Sequence, residues 1–275
     1  MQFNLIGPFE IVTDDGRTHR PGTPKVCQTL ALLLTRPNEI VTAETLIREL
    51  WGERPPRSAV TTLQTYVYHA RRMFVNERLT APDRALLVTS PPGYAMRVTD
   101  DEVDVRIFEH LVDQAQRHLA EDDPALALGT VERALALWRG PALANFPAGD
   151  VLIGHITHLE ELRIRAYEIR IDAGDRLGRH REAIPELRRL INEYPLNEWF
   201  HGRLMSALGA TGRRAEALQA YQHVRRLLAD ELGLEPSLEL KRLQLRLLNP
   251  EPGDGGPGWA TARAHHRGVV GAKTA

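Results

Sequence analysis

The segment Gly178-Arg179-His180-Arg181-Glu182-Ala183-Ile184 returns 34 residues later as Gly212-Arg213-Arg214-Ala215-Glu216-Ala217-Leu218. Leu187 then matches Tyr221, and Leu190 matches Val224. A period of this length constrains the fold strongly. One copy is too short to bury its own apolar face, so copies must stack as helix pairs. The surroundings agree: across residues 105–248 Leu, Ala, Arg and Glu dominate and β-branched runs vanish, which reads as helix almost throughout. A less regular copy is expected at residues 125–137. Two clear copies are fewer than a free-standing stack requires, so flanking helices must cap them.

The first 99 residues follow another pattern. Phe3, Leu5, Phe9, Ile11 and Val12 read as short strands broken at Gly7-Pro8, with a hairpin signal at Asp15-Gly16. Pro24 opens a helix carrying Val26, Cys27, Leu30, Leu33 and Leu34, and Arg36-Pro37-Asn38 stops it. Thr42 caps a second helix through Leu46, Ile47, Leu50 and Trp51, ended by Gly52 and Pro55-Pro56. Ser58 is expected to cap a third, reaching Phe74. At 100° per residue its apolar stripe is Val60, Leu63, Val67, Ala70 and Phe74. A hairpin follows: Leu86 to Thr89, a Pro91-Pro92-Gly93 turn, and a return from Tyr94 to Val98. Strands, three helices and a terminal hairpin are the order of a winged helix, whose third helix enters a major groove. The polar run Asp100-Asp101-Glu102 marks the boundary. The expected division is 1–99, 100–250, and a disordered tail at 251–275, because residues 250–275 hold six glycines and no apolar period. The repeat itself is similar to a tetratricopeptide helix pair. The expected fold class is therefore an α+β winged helix-turn-helix followed by an all-α, tetratricopeptide-like helical domain.

Charge separates the same segments. The whole chain of 275 residues has a net charge of -1, yet residues 54–97 hold seven arginines against only Glu77 and Asp83. Residues 100–250 are net acidic, with 25 Asp and Glu against 20 Lys and Arg. A basic stretch in an acidic chain is a candidate nucleic-acid footprint, or a solvated surface that happens to be basic. The third helix favours the first reading. Its polar face carries Thr61, Thr62, Thr65, Tyr68, His69 and Arg72, flanked by Gln64 and Arg71, with no acid between Ser58 and Asn76. A face made for solubility would be rich in Glu and Lys, whereas these types hydrogen-bond bases and phosphates. The alternative is a helix that packs its second face on another domain.

Other chemistries find little support. Cys27 is the only cysteine, which excludes a disulfide scaffold, and it lies within an apolar helix stripe, as a core residue would. No apolar run approaches a membrane span, and the apolar start lacks a basic n-region, so a soluble, cytoplasmic protein in a reducing compartment is expected. There is no phosphate-binding Gly-x-x-x-x-Gly-Lys loop and no Gly-x-Ser-x-Gly elbow. His155, His158 and Glu161, and the pair Glu198 and His201, have metal-like helical spacing but too few partners, and read as solvated helix faces. No cofactor, metal or catalysis is expected.

Taken in order, several motifs resemble one family. They are Leu30-Ala31-Leu32-Leu33-Leu34; Leu46-Ile47-Arg48-Glu49-Leu50-Trp51-Gly52 with Pro55-Pro56; Leu63-Gln64-Thr65-Tyr66-Val67 with Arg71-Arg72; Pro91-Pro92-Gly93-Tyr94; Trp138-Arg139-Gly140-Pro141-Ala142-Leu143; and residues 212–236. Over about residues 3–248 the chain resembles the Streptomyces antibiotic regulatory proteins, with an OmpR-type winged helix and a bacterial transcriptional activator domain. It departs where His69 and Ala70 stand in place of the family's usual arginine and leucine. The resemblance implies an activator of secondary-metabolite (antibiotic) biosynthetic clusters, bound to direct repeats in promoter DNA as a head-to-tail homodimer. It implies Arg72 at a guanine or a phosphate, and Arg57, Arg71 and Arg97 at phosphates, with Gly93 and Tyr94 in the wing. Gly52, Glu53 and Arg54 would lie in a loop facing RNA polymerase holoenzyme, and the protein would be cytoplasmic and nucleoid-associated. From another class, the rival is a helical-repeat interaction scaffold whose winged helix binds protein.

Overall fold

The computed structural model describes residues 1–77, 79 and 84–249; the expected tail at 251–275 lies outside them. By packing, the chain divides into two compact units, Met1–Ala173 and Gly174–Ala275.

The first unit begins with a three-stranded antiparallel sheet, β1 (Gln2–Asn4), β2 (Glu10–Val12) and β3 (Thr18–His19), in register Phe3 to Ile11 and Ile11 to His19. Helix α1 (Pro24–Thr35) is buried without interruption from Val26 to Leu34, so it is the central rod of the core. Strand β4 (Val41–Thr42) leads into α2 (Ala43–Trp51), where the Thr42 hydroxyl accepts from the Thr45 N–H as the sequence predicted. Helix α3 (Ala59–Asn76) follows, then β5 (Leu87–Ser90) and β6 (Gly93–Met96), which with β4 form a second antiparallel sheet in the order β4-β6-β5.

The polar run 100–102 is not a solvated linker. It forms a 3-10 turn in which Glu102 is buried, accepts the Thr99 N–H at 2.9 Å and takes both ends of the Arg84 guanidinium. The chain then passes into α4 (Asp104–Ala120), α5 (Pro124–Leu135) and α6 (Asp150–Arg176), the last crossing the division between units. The hydrophobic core does not stop at residue 99. It runs from Phe3 and Phe9 through Leu30, Leu63 and Phe74 to Phe108, Val131 and Leu152. Phe9 meets Phe146 edge-on at 6.4 Å, and Phe3 forms a parallel bridge with Val103.

Two buried carboxylates satisfy backbone across this span. Asp104 accepts the Leu5 N–H at 2.7 Å and the Ile6 N–H at 2.9 Å, with Arg139 at 3.5 Å. Glu49, only 2% exposed, accepts the N–H groups of Gly149, Val151 and Leu152 at 2.6, 3.1 and 3.0 Å. These are donors at the start of α6 that no intrahelical carbonyl serves, and the carboxylate also opposes the helix dipole. Asn145 adds a two-way clasp, accepting from the Phe9 N–H and donating to the Phe9 carbonyl.

The second unit holds α7 (His180–Glu193), α8 (Glu198–Ala210), α9 (Arg214–Leu232) and α10 (Leu238–Leu248). The repeat is visible at atomic level. Gly178 donates to Asp175 O, Arg179 to Gly174 O and Ala183 to Arg179 O; 34 residues on, Gly212, Arg213 and Ala217 donate to Gly209, Leu208 and Arg213. Gly178 and Gly212 both have left-handed backbone, φ 71° and 77°, where glycine carries no Cβ penalty. The less regular copy has the same turn: Asp122 (φ 59°) donates to Leu119 O, Asp123 to His118 O and Ala127 to Asp123 O. Aspartate is among the few residues that adopt this conformation readily.

The Glu198 and His201 pair does not lie on a solvated face. Glu198 accepts the Ser237 N–H at 2.7 Å, and His201 is buried with Nε2 2.9 Å from the Pro195 carbonyl. Burial holds this imidazole below its ordinary value. Among the described residues no helix is long and apolar enough to cross a membrane.

Burial pushes the Asp104 carboxyl from 3.8 up to about 6, although its N–H donors and Arg139 pull the other way. The folded state therefore holds this proton more tightly than the unfolded chain. The corresponding stability is present below pH 3.8 and lost as pH rises through about 6. Urea midpoints measured across that window should show wild type losing up to about 3 kcal/mol relative to Asp104→Asn. A pH-independent difference between the two proteins contradicts the assignment.

Candidate nucleic-acid interface

Helix α3 is anchored along one stripe. Ala59, Leu63, Val67, Ala70 and Phe74 are buried. Val60, expected in the stripe, is 55% exposed. Ala59 takes its place: at 100° per residue the two flank the stripe at similar angles on opposite sides, and the Ala59 side is the one that packs. Ser58 occupies the cap position without a side-chain cap hydrogen bond; its carbonyl accepts the Thr62 N–H at 2.8 Å instead. Tyr66 is half-buried and stacks on Trp51 with ring centroids 6.2 Å apart, joining α2 to α3.

The opposite face is open. Thr61, Gln64, Thr65, Tyr68, His69 and Arg72 are exposed, while Thr62 is half-buried. Thr65 donates its hydroxyl to the Thr61 carbonyl at 3.0 Å, leaving its oxygen lone pairs toward solvent. Arg72 lies 5.8 Å above the Tyr68 ring, and Tyr68 is tilted against His69. Among the described residues no carboxylate pairs with Arg57 or Arg72. The face can therefore accept an anionic, hydrogen-bonding surface without first breaking an ion pair.

Other expected contacts have structural partners. Arg71 is half-buried and turns back to the hairpin, donating from Nε to the Leu87 carbonyl at 3.0 Å and from Nη2 to the Thr89 hydroxyl at 2.8 Å. Its position on the helix flank signalled that it is not fully outward, but not which strand it meets. Arg97, expected at a phosphate, is exposed. It follows β6, and its N–H bonds to Leu86 O at the end of the hairpin away from Pro91-Pro92. Its Nη1 lies 3.3 Å from the Asn38 carbonyl. Gly93 is buried where β6 crosses β4; a Cβ there would sit 1.9 Å from the Val41 carbonyl oxygen. Tyr94 is half-buried opposite Val41 and Thr89. Gly52 closes α2 by donating to Arg48 O at 2.8 Å, with φ 63°, and residues 53–57 are exposed. Cys27 is a core residue, buried with its thiol pushed up to about 11.

The three-helix core, the hairpin and the acid-free face of α3 define the class: an OmpR-type winged-helix DNA-binding region followed by a helical region. Comparison with known protein families agrees with both parts. Residues 18–96 match the family model described as "Transcriptional regulatory protein, C terminal", and residues 103–248 match "Bacterial transcriptional activator domain". Regulatory protein DnrI of Streptomyces peucetius is 36% identical, the match covering 92% of this chain and 94% of DnrI. Transcriptional regulator RedD of Streptomyces coelicolor is 35% identical, over 92% of this chain and 71% of RedD. Regulatory protein AfsR of Streptomyces griseus is 35% identical, over 91% of this chain but only 25% of AfsR. Among solved structures, Mycobacterium tuberculosis EmbR in complex with a low-affinity phosphopeptide superposes with a TM-score of 0.84 at 31% identity, covering 91% of this chain and 65% of EmbR. The chain belongs to the Streptomyces antibiotic regulatory protein family of DNA-binding transcriptional activators.

Because β6 passes so close to β4, Gly93→Ala should lower stability by about 1–3 kcal/mol through overpacking. A urea midpoint reads this directly. An unchanged midpoint would show that the two strands separate without cost.

Proposed function

We propose that this protein reads promoter DNA with the open face of α3 and activates a secondary-metabolite biosynthetic cluster. The observation that carries this reading is the acid-free, solvent-facing row Thr61, Gln64, Thr65, Tyr68, His69 and Arg72, on a helix held from behind by five buried residues. Arg72 is assigned to a guanine edge, where its fork donates to O6 and N7. Arg57, exposed in the loop ahead of α3, is assigned to a phosphate, which positions without specifying. The proposed division of labour follows the sequence segments: residues 1–99 bind DNA and residues 100–250 carry the activating surface, although packing does not separate them there. Two copies bind direct repeats head to tail. The exposed loop with Glu53 and Arg54 faces RNA polymerase. The site of action is the cytoplasm, on the nucleoid.

The test uses the duplex that wild-type protein enriches from a randomised library, together with a scrambled duplex of the same length. Arg72→Ala should cost about 1–3 kcal/mol on the enriched duplex and relax preference at one base position. Arg57→Ala should weaken both duplexes alike and lower the slope of log affinity against log salt by roughly one. If Arg72→Ala loses equal affinity on both duplexes, Arg72 holds a phosphate. If wild type enriches no sequence, the DNA-reading assignment fails.

A further inference from the structure

Arg71 and Arg72 are adjacent on α3 but face different ways. Arg72 is exposed and lies over Tyr68. Arg71 bridges to β5 with two donors on two acceptors, the Leu87 carbonyl at 3.0 Å and the Thr89 hydroxyl at 2.8 Å. These partners stand two residues apart on one strand, so the planar guanidinium holds the helix against the hairpin at a set distance and rotation. Leu86 and Leu87 share the apolar core with Val67, Ala70 and Phe74 of α3, which holds hairpin and helix together without giving the contact a direction. The Arg71 bridge adds directed bonds to β5, a strand that lies at the edge of its sheet beside β6.

We propose that Arg71 is a positioning residue that couples the DNA-reading helix to the wing, rather than a phosphate contact. The inference rests on the DNA-reading assignment of α3 above. A winged helix engages the duplex at two places at once, the groove and the adjacent backbone. Their spacing on DNA is fixed by the duplex, so their spacing on the protein must be fixed before binding, or be fixed at the expense of binding entropy. The Arg71 fork supplies that pre-organisation. Thr89 is its receiving group, and a lysine cannot replace it, because one ammonium on a flexible stem does not make two diverging bonds in a plane.

The experiment uses the full chain and the wild-type-enriched duplex, with affinity, salt slope and hydroxyl-radical footprint measured for Arg71→Ala, Arg71→Lys, Thr89→Val, Thr89→Ser and Arg71→Ala with Thr89→Val. Thr89→Val changes no charge and guards against a loss of folding in the Arg71 variants. Coupling predicts that Arg71→Ala loses roughly tenfold in affinity with an unchanged salt slope, that Arg71→Lys does not rescue it, and that protection is lost on the wing side while base preference persists. It also predicts a several-fold loss for Thr89→Val, recovery with Thr89→Ser, and no further loss in the double variant beyond Arg71→Ala. A salt slope lowered by about one with rescue by Arg71→Lys would make Arg71 a phosphate contact and overturn the proposal. Additive losses, or a silent Thr89→Val, would also overturn it. If the wild type binds no duplex, the DNA-reading assignment has failed first, and this inference falls with it.

Discussion

Two buried carboxylates, Glu49 and Asp104, hold backbone amides that no secondary structure satisfies. Glu49 projects from α2 onto the first turn of α6, and Asp104 projects from the start of α4 onto Leu5 and Ile6 beyond β1. A buried amide without a partner costs about as much as several ordinary hydrogen bonds return. A buried carboxylate without partners costs more. Each group therefore needs the other, and the sequence segments they join cannot separate without exposing both. The rest of the first unit depends on this: the winged helix and the helices that follow share one apolar core because their polar ends are closed against each other.

The arrangement bears on function through α2. Glu49 sits in α2, and α2 supports α3 through the Trp51 and Tyr66 stack. Helix α3, which we propose reads DNA, is thus held by its own apolar stripe, by a helix whose carboxylate is fixed in the following helical segment, and by the Arg71 bridge to the hairpin. None of these contacts uses the outward row of α3. Its polar groups remain available to a partner, and its geometry is set beforehand. Tyr68 and Arg72 touch each other on that row, which orders two long side chains.

Much of this was legible in the sequence, and the legible part is local. Pro24 and Thr42 mark helix starts, Pro91-Pro92-Gly93 marks the wing turn, and Gly178 and Gly212 mark equivalent turns, because each signal acts through the backbone of its neighbours. The row on α3 was legible for the same reason: a 100° period separates its faces. What was not legible is long-range. Nothing beside Glu49 in the chain indicates Gly149, Val151 and Leu152, and nothing beside Arg71 indicates Leu87 and Thr89. Polar residues 100–102 stand between the two family matches, which end at 96 and begin at 103, but their composition did not show that they form a packed, ion-paired turn held by Arg84 and Thr99. Val60 and Ala59 exchanged roles because they flank the stripe at similar angles on opposite sides, and the period alone does not choose between them. The less regular copy expected at 125–137 keeps the repeat's turn with Asp122 in place of the glycine of the clear copies, so its turn carries no glycine signal. Gly93 and Tyr94 were placed in the wing correctly, but whether they face DNA or β4 depends on a strand more than fifty residues earlier.

Closed against each other by Glu49 and Asp104, the winged helix and the helices from α4 to the start of α6 should unfold as one cooperative unit. Native-state hydrogen exchange on the full chain in low denaturant tests it most directly, because each amide reports the opening that frees it. The amides of Leu5, Ile6, Val151 and Leu152, which bond to Asp104 and Glu49, should exchange through the same opening as the buried amides of α1, with one shared free energy and denaturant dependence. If α1 remained protected while those four amides exchanged through a separate, much cheaper opening, the two segments would be independent, and the role given to the two carboxylates would be contradicted.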